Sequence, residues 1–110
     1  MSKLSSERCI PCERGTPPLT EAEVTRYLSE LKGGWKLVDN KLSKEFTFRD
    51  FREAINFVNR VADTAEAEWH HPDIYIYFNK VKIELYTHSI NGLSKNDFVL
   101  ATKIEELSVS

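Results

Sequence analysis

Pro72 separates the clearest helical pattern in the chain from the clearest strand pattern. Residues 48–68 contain no glycine or proline and repeat apolar side chains at the 3.6-residue period of a helix with one buried stripe. Residues 73–78 alternate instead, as a strand does. Because a proline disfavours helical geometry at the residue before it, we expect the helix to end near His70 and the strand to follow Pro72 directly.

Two further helical patterns flank the central helix. Residues 17–34 predict a first helix with Thr20 as its N-cap and a pair of glycines as its stop. Residues 91–107 predict a last helix with Ser94 as its N-cap and Asp97 at the capping-box position. Three helices are therefore expected.

Two β-hairpins lie between these helices. The chain alternates before and after Asp39-Asn40, and again before and after Asn79-Lys80, and either dipeptide suits a two-residue turn. The element order is then α-β-β-α-β-β-α. A four-stranded antiparallel sheet with helices packed on one face is the simplest way to bury the apolar stripes, so the predicted fold class is α+β.

The length of 110 residues allows one domain with a modest core. We expect residues 1–16 to form an N-terminal tail that carries Cys9 and Cys12, and residues 17–110 to form the domain. The two cysteines could be half a zinc site, a redox dithiol or a chemically inert pair. No second pair exists and no strand-to-helix junction lies here, which favours the inert alternative.

Charge and hydropathy exclude several classes of partner. The formal net charge is −2, with acidic and basic residues interspersed and no dense basic block, so a nucleic acid is not expected to bind. No apolar run approaches the ~20 residues of a membrane span, and the N-terminus lacks the apolar stretch of a secretory signal. A cytoplasmic protein without a membrane partner is predicted.

The three histidines of the chain, His70, His71 and His88, lie within a window of 19 residues. Counting pairs outward from the predicted turn at Asn79-Lys80 places His88 level with His71. Imidazoles suit general acid and base catalysis, since a pKa of ~6.5 lets one ring donate and another accept a proton at neutral pH. They could instead be separate surface or capping histidines, and zinc is disfavoured because adjacent side chains rarely reach one ion.

The histidines belong to a longer pattern that resembles the pterin-4a-carbinolamine dehydratases. It consists of Glu66, His70-His71-Pro72, the aromatic Phe78, Thr87-His88 and the segment GLSKND that contains Asp97. The resemblance extends from about residue 17 to residue 107 and implies the same α+β fold. It also implies a hydro-lyase, 4a-hydroxytetrahydrobiopterin dehydratase, that converts 4a-hydroxytetrahydropterin to the quinonoid dihydropterin without a metal or an organic cofactor.

The resemblance also implies roles for individual residues. His70 and His88 would act as acid and base at C4a and N5 of the pterin, while His71 would mainly hold the substrate. Glu66 lies one helical turn before His70 and could orient its ring or raise its pKa. The further candidate substrate contacts are Trp69, Asp73, Tyr75 and Thr87. An aromatic that stacks on the pterin would be Trp69, Tyr75 or Tyr77, and Asp97 is most simply a helix-capping residue.

A non-catalytic role is the alternative. Animal members of this family also bind a dimerising transcription factor through a helix face, so the resemblance equally allows a protein-binding or dimerisation module of the same fold. An open edge strand on a small sheet favours self-association. We therefore expect a homo-oligomer, a dimer or a tetramer, whose other partner is a small-molecule pterin.

Overall fold

The structure is a computed structural model that describes Leu4, residues 7–10 and residues 16–108. Its elements in chain order are α1 (Glu21–Ser29), β1 (Lys36–Val38), β2 (Lys41–Thr47), α2 (Phe51–Glu68), β3 (Asp73–Tyr77), β4 (Lys80–Leu85) and α3 (Lys95–Ser108). A short 3-10 turn, His88–Ile90, lies between β4 and α3. The predicted α+β class and the predicted order of elements are confirmed.

The four strands form one antiparallel sheet in the order β1-β2-β4-β3. Alternate residues of β4 are buried, as the period of a strand requires when one face meets the core. The core between sheet and helices consists mainly of Leu42, Phe46, Ala54, Phe57, Val61, Val81, Ile83, Leu85, Phe98, Leu100 and Ile104. The outward face of β4 carries Lys82 and Glu84, which are only partly buried.

The first helix has the predicted start but an earlier end. Thr20 accepts a hydrogen bond from the Glu23 N–H at 3.2 Å and donates its own N–H to the Glu23 carboxylate at 2.9 Å, which forms the capping box. The predicted stop at the glycine pair is wrong, because α1 ends at Ser29. The Ser29 hydroxyl donates to the Arg26 carbonyl at 2.6 Å, and the following residues make i to i−3 bonds that tighten the chain out of the α-helix.

The first hairpin turns where the sequence predicts. Asp39 and Asn40 have φ of 51° and 64°, and Val38 pairs with Lys41 across them. Positive φ at both central residues is what a tight turn between right-twisted strands requires, and Asp and Asn tolerate it. The alternation of the sequence was therefore sufficient to position this turn.

The second hairpin turns one residue earlier than predicted, at Phe78 and Asn79, so that Tyr77 pairs with Lys80. Phe78 takes the positive φ of 51°. Asn79 fastens the turn to the chain after β2: its side chain donates to the Phe48 carbonyl at 2.9 Å, and its own carbonyl accepts the Phe48 N–H at 2.8 Å. These long-range bonds explain why Asn79 lies inside the turn.

This turn changes the register beside the histidines. Asp73 pairs with Glu84, whereas the predicted turn would have paired it with Tyr86. When the observed strand pairing is continued beyond Asp73, His70 lies level with Thr87. The prediction that His88 lies level with His71 is therefore wrong, and His88 is in the 3-10 turn beyond the end of β4.

The central helix ends close to the predicted position. Asp50 caps its start by accepting the Glu53 N–H at 2.8 Å, and the helix begins at Phe51, three residues later than the pattern alone would begin it. Trp69 ends α2 in the left-handed conformation with φ 53°, which is unusual for a bulky residue. The His70 N–H still bonds to the Ala65 carbonyl at 3.2 Å, so His70 stays attached to the last helical turn.

Candidate active site

A buried carboxylate, Asp97 in the first turn of α3, is the centre of the histidine region. Its side chain is 0 % exposed and accepts three hydrogen bonds. Oδ1 lies 2.7 Å from His70 Nε2, while Oδ2 accepts the Thr87 hydroxyl at 2.8 Å and the Ser94 N–H at 2.9 Å. Burying a carboxylate is unfavourable unless such donors satisfy it, so these contacts hold Asp97 in place.

The contact with Asp97 determines which nitrogen of His70 carries the proton. An ionised carboxylate only accepts hydrogen bonds, so Nε2 is the donor and Nδ1 of the neutral ring keeps a lone pair. The His70 side chain is 12 % exposed, which leaves part of the ring open to solvent. His70 is thus an oriented imidazole whose free nitrogen can accept a proton.

Asp97 makes only half of the predicted capping box. It accepts the Ser94 backbone N–H, but the Ser94 hydroxyl lies 2.8 Å from the Thr87 hydroxyl and is used there. Since the single hydroxyl proton of Thr87 goes to Asp97, Ser94 donates to Thr87. Thr87, a predicted substrate contact, is buried in this network. Asp97 therefore caps α3 and also orients His70, a role that sequence reasoning missed.

His71 lies on the exposed side of the same turn. Its Nε2 is 2.5 Å from the Glu66 carboxylate, and both side chains are exposed. The predicted pairing of Glu66 with His70 is not what the structure has, because the left-handed Trp69 ends the helical spacing before His70. The Trp69 ring meets the His71 ring edge-on at 5.0 Å between centroids and is 75 % exposed.

His88 belongs to a second group of side chains, in which His88 and Asp73 are exposed and Tyr86 and Lys41 are partly buried. Its ring lies edge-on to Tyr86 with centroids 5.0 Å apart. The Lys41 ammonium is 5.9 Å from the Tyr86 centroid and 3.9 Å from the Asp73 carboxylate. Lys41 thus contacts Asp73 directly and reaches His88 only through the Tyr86 ring, although sequence reasoning selected neither Lys41 nor Tyr86.

Tyr75 lies on the outward face of the sheet. Its hydroxyl donates to Glu84 at 3.2 Å, and the Lys82 ammonium is 4.6 Å from its ring centroid. The hydrogen bond to Glu84, helped by the negative charge of that carboxylate, raises the pKa of Tyr75. Its contacts are therefore with sheet neighbours, whereas Trp69 contacts a histidine directly.

The two histidine segments meet at Asp97. His70 binds the carboxylate directly, and the segment that carries His88 is attached through Thr87, the residue before it. The helix end, the strand end and the start of α3 thus converge on one carboxylate. This arrangement can accept a proton at His70, donate one at an exposed imidazole, and hold a flat ring against Trp69.

Metal and thiol chemistry gain no support from the described residues. Within Leu4, residues 7–10 and residues 16–108, no three His, Cys, Asp or Glu side chains are grouped to hold a metal ion. Burial, and then the charge of Glu68, raise the pKa of Cys9 to about 12, so its thiol stays protonated at neutral pH. Cys12 lies outside the described residues.

Within the part of the chain that the structure describes, no helix has the length and apolarity to cross a membrane.

Sequence comparison places the chain in a known family of proteins. The sequence model described as pterin 4 alpha carbinolamine dehydratase matches residues 17–107. The chain belongs to this family. A protein of Alkaliphilus metalliredigens that carries the family name is 47 % identical over 107 residues, covering 96 % of each chain. Another, from Rubrobacter xylanophilus, is 45 % identical over 97 % of this chain and 100 % of its own.

Solved structures agree with the assignment. The crystal structure of a transcriptional coactivator/pterin dehydratase from Brucella melitensis is 35 % identical, with a TM-score of 0.78 over 83 % of this chain and 98 % of its own. A pterin dehydratase-like protein described as a RuBisCO assembly factor in the alpha-carboxysome has a TM-score of 0.61 at 21 % identity. It covers 70 % of this chain and 92 % of its own, and shows likeness of fold alone.

Proposed function

We propose that this protein dehydrates 4a-hydroxytetrahydropterin to the quinonoid dihydropterin. The observation that carries the proposal is the hydrogen bond from His70 Nε2 to the buried Asp97, which leaves Nδ1 free as a base next to the exposed His71. Membership of the pterin carbinolamine dehydratase family supports the choice of substrate class.

The reaction removes one proton from N5 and one hydroxide from C4a, and the products are the quinonoid dihydropterin and water. In our proposal Nδ1 of His70 takes the N5 proton, and Asp97 stabilises the imidazolium that forms. His88, when protonated, gives its proton to the leaving C4a oxygen so that water departs. For the next turnover, the exposed His88 regains a proton from solvent and the partly exposed His70 releases to solvent the proton taken from N5.

Trp69 and His71 would hold the substrate. Trp69 presents a largely exposed ring from a left-handed backbone conformation that a bulky residue rarely adopts, and its edge meets His71. A flat pterin can stack on such a ring. We prefer Trp69 to Tyr75 as the stacking aromatic because Tyr75 is bound to Glu84 on the sheet face. Glu66 then orients His71 rather than His70.

Turnover without metal is the first test of this function. Purified protein that has been dialysed against a chelator should still accelerate the decay of chemically generated 4a-hydroxytetrahydropterin, followed by absorbance. Histidine acid-base catalysis needs no metal ion. Loss of the acceleration on chelation with recovery on adding zinc would contradict the mechanism, and a protein that never accelerates the decay would leave the binding-module alternative.

We also propose that the protein is a homo-oligomer that associates through β3. This strand has one unpaired edge in the sheet, and Ile76, Tyr77 and Phe78 at its end are exposed. Pairing of two copies would remove this edge and cover apolar surface. Light scattering at micromolar concentration should report a dimer or a tetramer.

A charge placed on this edge should dissociate the oligomer. Ile76→Lys introduces a cation on β3, and Leu37→Lys makes the same change on the exposed edge strand at the other side of the sheet. We expect only Ile76→Lys to reduce the assembly. A monomeric wild type, or dissociation by Leu37→Lys alone, would overturn association through β3.

A further inference from the structure

A segment ahead of the predicted domain, residues 7–10, is attached to the end of α2. We call it the N-terminal strap. The Arg8 guanidinium lies 2.8 Å from the Glu68 carboxylate and donates to the Ala67 carbonyl at 3.1 Å. The Cys9 N–H donates to the other Glu68 oxygen at 2.8 Å. Two consecutive strap residues therefore hold the last turn of α2.

The strap is also attached to the first turn of α3. The Ile10 N–H donates to the Asn96 side-chain oxygen at 2.9 Å, and the Asn96 side-chain nitrogen donates back to the Ile10 carbonyl at 2.5 Å. The Cys9 thiol lies 3.6 Å from the Asn96 carbonyl, and Lys95 forms an ion pair with Glu7. Asn96 thus binds the strap backbone as a neighbouring strand would.

The two attachment points lie close in sequence to His70 and Asp97. Glu68 lies two residues before His70, and Asn96 immediately precedes Asp97. The strap joins these two helix ends. Because each partner of the His70–Asp97 hydrogen bond sits within two residues of an attachment point, a change in the separation of the helix ends would disturb the geometry of that bond.

The charge of Glu68 indicates that the strap contact is specific. A carboxylate at a helix C-terminus is unfavourably placed in the helix dipole, and the Glu68 side chain is only 7 % exposed. Burial raises the pKa of Glu68, but the Cys9 N–H and the Arg8 guanidinium outweigh it and leave that pKa lowered. Without the strap, this carboxylate would lose these two hydrogen bonds, while the positive charge of Lys103, which also lowers the pKa of Glu68, would remain.

We propose that the N-terminal strap is a positioning element for the reaction: it fixes the distance between the ends of α2 and α3 and so keeps His70 Nε2 bonded to Asp97. The strap touches no reacting atom. The proposal rests on the proposed dehydratase function for its effect on rate, whereas its effect on the His70 hydrogen bond can be measured without turnover.

The test removes one strap hydrogen bond without changing any charge. Ile10→Pro deletes the N–H that Asn96 accepts, and Ile10→Ala is the matched control, since it keeps the N–H and trims a side chain that is 69 % exposed. Asn96→Ala removes this bond from the α3 side together with the bond that Asn96 donates to the Ile10 carbonyl. Arg8→Ala, at an exposed side chain, is a further strap variant should either of the others fold poorly.

The readouts are kcat and KM for pterin dehydration, and nitrogen-15 NMR of the His70 ring with the solvent-exchange rate of its Nε2–H. We expect Ile10→Pro and Asn96→Ala to lower kcat on the order of 10-fold with little change in KM, because a small misplacement of a catalytic group slows the chemical step. The Nε2–H of His70 should exchange faster in both. Ile10→Ala should stay within about 2-fold of wild type.

The possible results test the role of the strap independently of the dehydratase function. If the Cys9 amide exchanges faster in Ile10→Pro, which shows that the strap has detached, while kcat and the His70 Nε2–H are unchanged, the positioning role is wrong. Lower kcat that is explained by a reduced folded fraction in circular dichroism, with the His70 signal intact, would also overturn it. An inactive wild type would reject the dehydratase function. The exchange rate of the His70 Nε2–H would still show whether the strap holds the His70–Asp97 hydrogen bond.

Discussion

Asp97→Asn should lower kcat for pterin dehydration by roughly 10²–10⁴-fold, the range for loss of a positioned acid or base. The Oδ2 side of Asp97 faces two donors, the Thr87 hydroxyl and the Ser94 N–H. The amide oxygen of Asn would take that side, so its NH₂ group would face His70 Nε2. His70 Nε2 would then have to accept, and the proton would move to Nδ1, the atom that must act as the base.

Nitrogen-15 NMR of the His70 ring checks this tautomer change directly, beside kcat. Asn is isosteric with Asp, so the fold should persist with a stability loss of about 1–3 kcal/mol from imperfect hydrogen bonding in the buried site. Ser94→Ala is the control, because it removes only the hydroxyl bonded to Thr87 and keeps the backbone N–H to Asp97. An Asn variant with wild-type kcat and an unchanged Nε2–H would contradict the role given to Asp97.

Replacing each histidine with alanine should show which side chains act in catalysis and which act in substrate binding. His70→Ala and His88→Ala should each lower kcat by roughly 10²–10⁴-fold with a modest effect on the affinity for a pterin analogue. His71→Ala should instead weaken analogue binding more than it lowers kcat, because its contact is present in both the ground and the transition state. The measurements are single-turnover decay and analogue titration. Residual turnover is expected, since the reaction also proceeds uncatalysed.

Glu66→Gln is the matched control for this division. It keeps a hydrogen-bonding side chain at 2.5 Å from His71 and removes its charge, so its effect should follow His71 in binding and not His70 in kcat. A Glu66→Gln variant with a selective loss of kcat would restore the pairing of Glu66 with His70 that the sequence suggested. Equal losses of kcat at all three histidines with unchanged analogue affinity would show that the division of roles is wrong.

The fold could be predicted because its signals are local. The period of 3.6 residues in α2, the alternation in β4 and the Asp39-Asn40 turn each depend on neighbours in sequence. The second turn was misplaced because its position depends on Asn79 bonding to Phe48, 31 residues away, and because Phe78 is not a residue that suggests positive φ. Because this turn lies one residue earlier than predicted, the partner of Asp73 on the neighbouring strand changes by two residues, from Tyr86 to Glu84.

The site could be predicted only in part for the same reason. The pattern around His70-His71-Pro72 selects the region of the candidate site, but it does not show which acidic group each imidazole meets. Asp97 already satisfies the capping pattern of α3, so nothing local suggests its bond to His70, 27 residues away. The strap has no periodic signal at all, since its contacts to Glu68 and Asn96 use mostly backbone groups, together with the side chains of Arg8 and Cys9.

The rate constant for decay of 4a-hydroxytetrahydropterin, compared between the wild type and the His70→Ala/His88→Ala double variant, is the most direct test of the dehydratase function. Both proteins are first shown to be folded by circular dichroism and are assayed after chelation beside a protein-free sample. We predict that the wild type accelerates the decay well above the protein-free rate and that the double variant returns it close to that rate. Equal decay in all three samples, or equal acceleration by both proteins, would contradict it.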